Sequence, residues 1–115
     1  MNDAAMLARQ VAGIASDAHA TDIQVLDLHD LSPIADYFVL ASADNTRLLR
    51  TIEERIAQTL RDEGQRPLRV EGLPEYGWTV MDYGDVIVHL LTREQREFYR
   101  LEDLWSGAHR LLVIQ

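Results

Sequence analysis

The chain has 115 residues, 47% of them hydrophobic, and carries 19 acidic against 11 basic side chains for a formal net charge of -8. That is enough apolar material for one compact core without disulfides or metal, and the charge balance is opposite to that of a phosphate-binding surface. There is no cysteine, hence no thiolate zinc site and no cysteine nucleophile; every basic residue is arginine, which removes Walker-type and Schiff-base lysines as well.

From Ala4 to about Ala18 the positions Leu7, Val11, Ile14 and Ala18 recur at helical spacing and predict an amphipathic helix with one buried stripe. The opening residues, M-N-D-A-A-M-L-A-R-Q, lack the basic start and apolar stretch of a signal peptide, and no apolar run reaches bilayer length, so a cytoplasmic domain is expected. Ile23, Val25, Leu26 and Leu28 form a first strand, ending in H-D-L-S-P, where Pro33 and its polar neighbours mark a turn. Tyr37 to Ala41 is a second strand, and in the S-A-D-N-T that follows Asp44 or Asn45 caps a helix. That helix carries Leu48, Leu49, Ile52, Ile56 and Leu60 on one face and ends at Gly64. Its R-x-x-R-T-I-E-E-R-I segment reads as a solvated face of i, i+4 pairs. S-A-D-N-T has neither glycine nor lysine, so capping explains it better than anion binding.

Leu68 to Glu71 is a short strand candidate closed by G-L-P, followed by a hairpin of strands near 77–82 and 85–91. With Tyr83 and Gly84 as its two-residue loop, Asp82 faces Asp85, Val80 faces Ile87 and Trp78 faces His89, all on one side of the sheet. Thr92 opens a T-R-E-Q capping box in which the Thr92 hydroxyl and the Gln95 side chain each satisfy a free backbone donor. A final helix runs to about Trp105, with Phe98, Leu101 and Trp105 on one stripe and Leu104 beside them, until Gly107 breaks it. L-L-V-I near the end reads either as a strand or as an apolar tail. The order α-β-β-α-β-β-β-α predicts a single α+β or mixed α/β domain, with about five strands in a mixed sheet covered by three helices.

Chemistry-bearing residues concentrate between Trp78 and Trp105. Asp82 and Asp85 lack the i, i+2 spacing with which a nucleotidyltransferase holds magnesium; they read as a turn holding its own amides, as partner contacts, or as a pair converging across the hairpin. His89 reads as a packing residue stacked on or bonded near Trp78, or as part of an interface, and His19, His29 and His109 make no metal-ligand spacing with it. Trp78 and Tyr99 belong either to the core or to a binding surface, since Trp, Tyr and Arg dominate interface hot spots. Tyr99 lies one residue off the final helix's apolar stripe and Arg96 three before it, so both are expected to project from the helix flank as a contact edge. Phe98 and Trp105 are expected as core anchors. Residues 1–42 hold six Asp against one Arg, and residues 71–92 hold four acids against no base, a distribution suited to a basic partner protein.

In P-I-A-D-Y-F-V-L-A-S-A-D-N-T-R, in V-E-G near residue 70, in W-x-x-x-D-x-G-D-V-I-V-H and in R-x-F-Y-x-L-E-x-L-W, the sequence resembles the ribosomal silencing factor family, also called Iojap-like. The resemblance covers roughly Asp22 to Ser106, which places a silencing-factor-like domain over residues 1–106 and a C-terminal tail over 107–115. It implies a nucleotidyltransferase-like fold that serves as a binding module, without catalytic residues, cofactor or metal. Such proteins dock on ribosomal protein L-fourteen of the large ribosomal subunit, block joining of the small subunit and slow translation when nutrients are short; they are often homodimeric. Carried over by position, Trp78, Asp82, Asp85, His89, Arg96, Tyr99 and Glu102 are assigned to partner binding, and Gly84, Leu101 and Trp105, with Phe98, to structure. Two departures stand out: Ala43 where the family has a turn glycine, and the tail G-A-H-R-L-L-V-I-Q beyond the usual end.

The first reading is therefore a noncatalytic translation repressor, with no membrane and no sequence-specific nucleic acid among its partners. The alternative is a nucleotidyltransferase-type enzyme or nucleotide-binding protein; the missing D-x-D pair and absent lysine count against it. Direct RNA binding is opposed by the net charge.

Overall fold

The computed structural model describes residues 3–115. The first apolar stripe forms α1 (Asp3–Asp17), where Ala8, Val11, Ala12 and Ala15 are buried and the small residues let the helix lie close against the sheet. β1 (Thr21–Asp27) and β2 (Tyr37–Ala43) follow, joined through the expected turn, in which the amides of Leu31 and Ser32 both donate to the Leu28 carbonyl. Asn45 caps α2 (Thr46–Asp62), accepting from the Leu48 amide at 2.8 Å, and Leu49, Ile52, Ile56 and Leu60 are buried on its inner face. Arg50 on the outer face pairs with Glu75 rather than with a glutamate of its own helix. Ala43 closes β2, buried and without a left-handed backbone, so this position needs no glycine.

β3 (Arg69–Leu73), a single 3-10 turn (Pro74–Tyr76), β4 (Trp78–Asp82) and β5 (Val86–Thr92) come next. The chain ends with α3 (Arg93–Tyr99), α4 (Leu101–Leu104) and β6 (His109–Ile114). The strands form one sheet in the order β3-β4-β5-β2-β1-β6, in which β2 and β5 are parallel and every other pair is antiparallel. The protein is a mixed α+β single domain with six strands rather than about five. Of the two readings of L-L-V-I the strand is the observed one: β6 pairs with β1, Ile114 against Ile23 and Leu112 against Val25.

α1 and α2 cover one face of the sheet, and the main core lies between them and Val25, Val39, Met81, Val88 and Leu90. The other face is only partly covered. There α3 and α4 lie over a smaller cluster in which Leu26, Leu28, Leu40, Leu91 and Leu101 are buried and Phe38, Trp78 and Trp105 pack at its edge.

Two expectations need correction. The hairpin pairs Asp82 with Ile87, Val80 with His89 and Trp78 with Leu91, a slip of two residues from the expected register. Its loop is Gly84–Asp85, with Gly84 at φ +91° in the first central position, where a two-residue turn of this hand takes glycine. Because the slip is even, each side chain stays on its expected face. The last helix, expected to be continuous, breaks at Arg100 (φ 49°, ψ 54°) into two short helices. The break rotates the stripe: Leu101 is buried and Trp105 half-buried, but Phe98 and Leu104 are 75% and 72% exposed, so Phe98 is no core anchor.

Gly72 has φ +78°, and a Cβ added there would lie 2.3 Å from the Trp78 carbonyl oxygen. Gly72→Ala is expected to lower stability by at least about 2 kcal/mol in urea unfolding. Gly84→Ala, whose new Cβ would meet only Leu68 at 3.8 Å, should cost about 1 kcal/mol. Equal losses would remove the steric argument.

Candidate docking surface

Strand alternation aims Phe38 of β2, Trp78 of β4 and His89 of β5 at the sheet face that the long helices leave uncovered. α3 starts directly where β5 stops, because the Thr92 hydroxyl accepts from the Gln95 amide at 3.3 Å. Two turns on, this start delivers Tyr99 onto Trp78, with ring centroids 4.5 Å apart. Phe98 lies edge-on to Tyr99 at 4.9 Å, His89 lies 4.8 Å from Phe38, and Trp105 of α4 closes on Phe38 at 5.7 Å. Trp105, Phe38, His89, Trp78, Tyr99 and Phe98 thus form one continuous aromatic row. Its Phe98 and Tyr99 end is exposed and its Trp105 end seals the smaller core.

His89 sits in the middle of the row. Trp78 Nε1 donates to its Nδ1 at 3.3 Å, the diagonal contact left after the register slip, and this bond places the imidazole proton on Nε2. Desolvation lowers the His89 pKa from 6.5 to about 4, so the ring is uncharged at neutral pH. Beside it a shallow depression of about 380 Å³ is lined by Ile34, Phe38, Val80, Ile87 and His89, with Arg69, Glu71 and Asp82 at its rim.

Asp82 is half-buried and already engaged: Oδ1 accepts from the Gly84 amide at 2.8 Å, and Oδ2 lies 3.5 Å from Arg69 Nε. Asp85 is exposed, and its backbone carbonyl accepts from the amides of Asp36 and Tyr37, fastening the hairpin loop to the start of β2. The Asp82 carboxylate is thus tied to its own turn and to Arg69, while Asp85 serves the fold through its backbone carbonyl. Among the described residues no group of three or more His, Asp or Glu side chains is placed to hold a metal ion. On the opposite face burial raises the pKa of Glu53 and of the Tyr83 phenol, both remote from the aromatic row.

Arg96 departs most from expectation. Instead of projecting from the flank it is 6% exposed, its Nε donating to Glu102 Oε2 and its Nη1 to Ser42 Oγ, each at 2.8 Å. Tyr99, expected on the same edge, is 46% exposed. Sequence reasoning missed Phe38 because β2 reads as an unbroken apolar run; only the pairing of its neighbour Leu40 with His89 shows which of its faces joins the row. Arg69 and Glu71 were missed because a fully exposed edge strand has no burial pattern to read.

Fold and surface together define a class: a mixed α+β domain whose partly covered sheet face gathers aromatic side chains inside a polar rim. The chain belongs to the ribosomal silencing factor family, a regulatory one. The family model described as "Ribosomal silencing factor during starvation" matches residues 1–114. The chain is 32% identical over 108 residues to the ribosomal silencing factor RsfS of Bacillus subtilis (strain 168), covering 94% of this chain and 91% of that protein. It is 31% identical over 91 residues to "Mitochondrial assembly of ribosomal large subunit protein 1" of Mus musculus, covering 76% of this chain and 40% of that longer protein. A crystal structure of a Chromobacterium violaceum protein, 24% identical, superposes with a TM-score of 0.86 over 92% of this chain and 88% of that one, which shows the shared fold.

His89 ties this surface to pH. Its folded pKa, about 4, lies below the unfolded value of 6.5, so the stability gained by keeping it neutral is complete above pH 6.5 and is lost as pH falls toward 4. The full loss across that window is roughly 3 kcal/mol. Urea unfolding at pH 7 and pH 4.5 should show a clearly smaller drop for His89→Gln, which does not titrate, than for the wild type. The same drop in both would mean that His89 is not the group responsible.

Proposed function

We propose that this chain is a cytoplasmic, noncatalytic translation repressor that binds the large ribosomal subunit through ribosomal protein L-fourteen and blocks association with the small subunit, and that it is a homodimer when free. The observation that carries the reading is the aromatic row on a partly covered sheet face, exposed at its Phe98 and Tyr99 end, in a member of the silencing factor family. Membership supplies the ribosome, and the large-subunit name of the mouse relative supports the choice of subunit. The row supplies the kind of surface on which tight protein contacts are built, a core of Trp and Tyr with acids around it. Trp78, Tyr99 and His89 form the centre of the contact in this reading, with Asp82 and Asp85 on its hairpin side, and Phe98 joins them because it is exposed beside Tyr99. Arg96 and Glu102 act from behind the surface.

The acidic balance of the chain, net -8, favours a basic partner, whose encounter it would accelerate. Occlusion needs no reacting group, and Asp82 is already committed to Gly84 and Arg69.

Light scattering from purified small and large subunits tests the function directly: the protein should lower the extent of joining in proportion to large subunits occupied, and undiminished joining at saturation would sink the reading. Trp78→Ala and Tyr99→Ala should each weaken large-subunit binding in sedimentation by about 2 kcal/mol, roughly 30-fold. If both variants bind like the wild type, the contact lies on another face.

A further inference from the structure

We infer that Arg96 is a positioning residue: buried beneath the proposed docking surface, it fastens the corner between α3 and α4 to the sheet and so holds Tyr99 against Trp78. The inference rests on the reading of that surface as the binding site.

α3 has only seven residues and α4 only four, too few for either to hold its place without tertiary ties. They meet at Arg100, a non-glycine residue in the left-handed region, where the backbone is strained and persists only if its surroundings fix it. At the N-terminal end of α3 the Thr92 cap supplies one tie. At the other end Leu101 is buried among the leucines and Trp105 packs on Phe38, and the polar ties gather on Arg96. Its carbonyl accepts from the Arg100 amide at 3.0 Å, closing the corner. Its Nε reaches across the break to Glu102, and its Nη1 reaches down to Ser42, which is 1% exposed on β2. One guanidinium therefore joins α3, α4 and the centre of the sheet.

The geometry of arginine suits this place. Its planar fork reaches Glu102 and Ser42 from two different nitrogens in fixed directions, whereas a lysine would have to reach both from one ammonium. Tyr99 lies one helical turn beyond Arg96 as the last residue of α3, so its ring goes where the corner goes. Loosening the bracket lets Tyr99 leave Trp78, and apparent affinity then falls with the fraction of molecules that keep the two rings together. Direct contact of Arg96 with the partner is opposed by its burial.

The test uses the full chain and the variants Arg96→Gln, Ser42→Ala, Tyr99→Ala and Arg96→Gln/Tyr99→Ala. In the free protein, nuclear Overhauser contacts between the Tyr99 and Trp78 rings should be lost in Arg96→Gln and weakened in Ser42→Ala, with thermal unfolding still well above the assay temperature. Large-subunit binding should weaken about tenfold in Arg96→Gln, the loss expected if about one molecule in ten stays competent. In the Tyr99→Ala background the same substitution should change nothing further, because Arg96 then has no ring to place. Unchanged ring contacts in Arg96→Gln overturn the inference, as does a double variant whose loss is the product of the single losses, the mark of a direct contact. Should Arg96→Gln fail to fold, Ser42→Ala decides alone, since it removes one bond and no charge; an intact ring contact there refutes the bracket. If the wild type itself does not bind large subunits, the proposed function fails, while the ring contacts still decide the role of Arg96.

Discussion

Seven consecutive residue pairs, from Tyr37 with Val86 to Ala43 with Thr92, join β2 to β5 in parallel at the centre of the sheet, and the placement of every other element follows from that ladder. Parallel neighbours cannot be linked by a tight turn, so the chain must cross over between them, and α2 makes the crossing against the first face. Because β2 and β5 run the same way, they end together, and α2 and α3 both begin at that end, capped by Asn45 and Thr92. The Arg93 guanidinium, 3.2 Å from Asp44, bridges the two starting points. α2 turns onto one face and α3 onto the other, and this divergence separates core from candidate site.

The two faces are covered unequally. On one side two long helices supply continuous apolar stripes, and the strand residues beneath them are wholly buried. On the other, eleven helical residues in two broken pieces cannot span six strands, so large side chains from the strands and helices do part of the covering themselves. An aromatic residue is well suited to this, because one side of its ring can lie on leucines while the other meets solvent. Trp78 and Trp105 close the small core at their inner edges, and Tyr99 and Phe98 continue the row outward. The same shortage of helix that leaves this face open also makes it aromatic.

How much of this the sequence disclosed depended on whether the signal was local. Helical periodicity and capping are local, so α1, α2, Asn45 and Thr92 were legible, and so was the side-chain contact of Trp78 with His89, since even the misjudged register kept both on one face. The register itself was misread because Y-G-D offers two places for a two-residue loop, and only the demand for a left-handed residue at its first position selects Gly84–Asp85. The break in the last helix was invisible because the residue in the left-handed region is Arg100, with no glycine to announce it. Phe98 was then misplaced, since its stripe assumed an unbroken helix. Arg96 could not be placed from its own element: its position beside the apolar stripe reads as a projecting contact edge, and the partner that draws it inward, Ser42, lies 54 positions away. From sequence alone β6 reads as strand or tail, because its pairing depends on an empty edge of β1, a fact of topology.

Charge placement explains why such a face would suit docking more than chemistry. A general acid or base must be able to gain or lose a proton near the working pH. Here the polar groups nearest the centre of the row have their states settled in advance. His89 is neutral and accepts from Trp78, and Asp82 is tied to Gly84 and Arg69. A partner covering the row would therefore strip water from no unpaired charge at its middle, the place where desolvation is most costly. Unpaired acids such as Asp85, Glu94 and Glu97 stand exposed around the margin, where they act at long range and remain hydrated after contact. Apolar rings at the centre, neutral or pre-paired polar groups beneath them and free carboxylates outside make an arrangement in which attraction comes from the rim and residence time from the core.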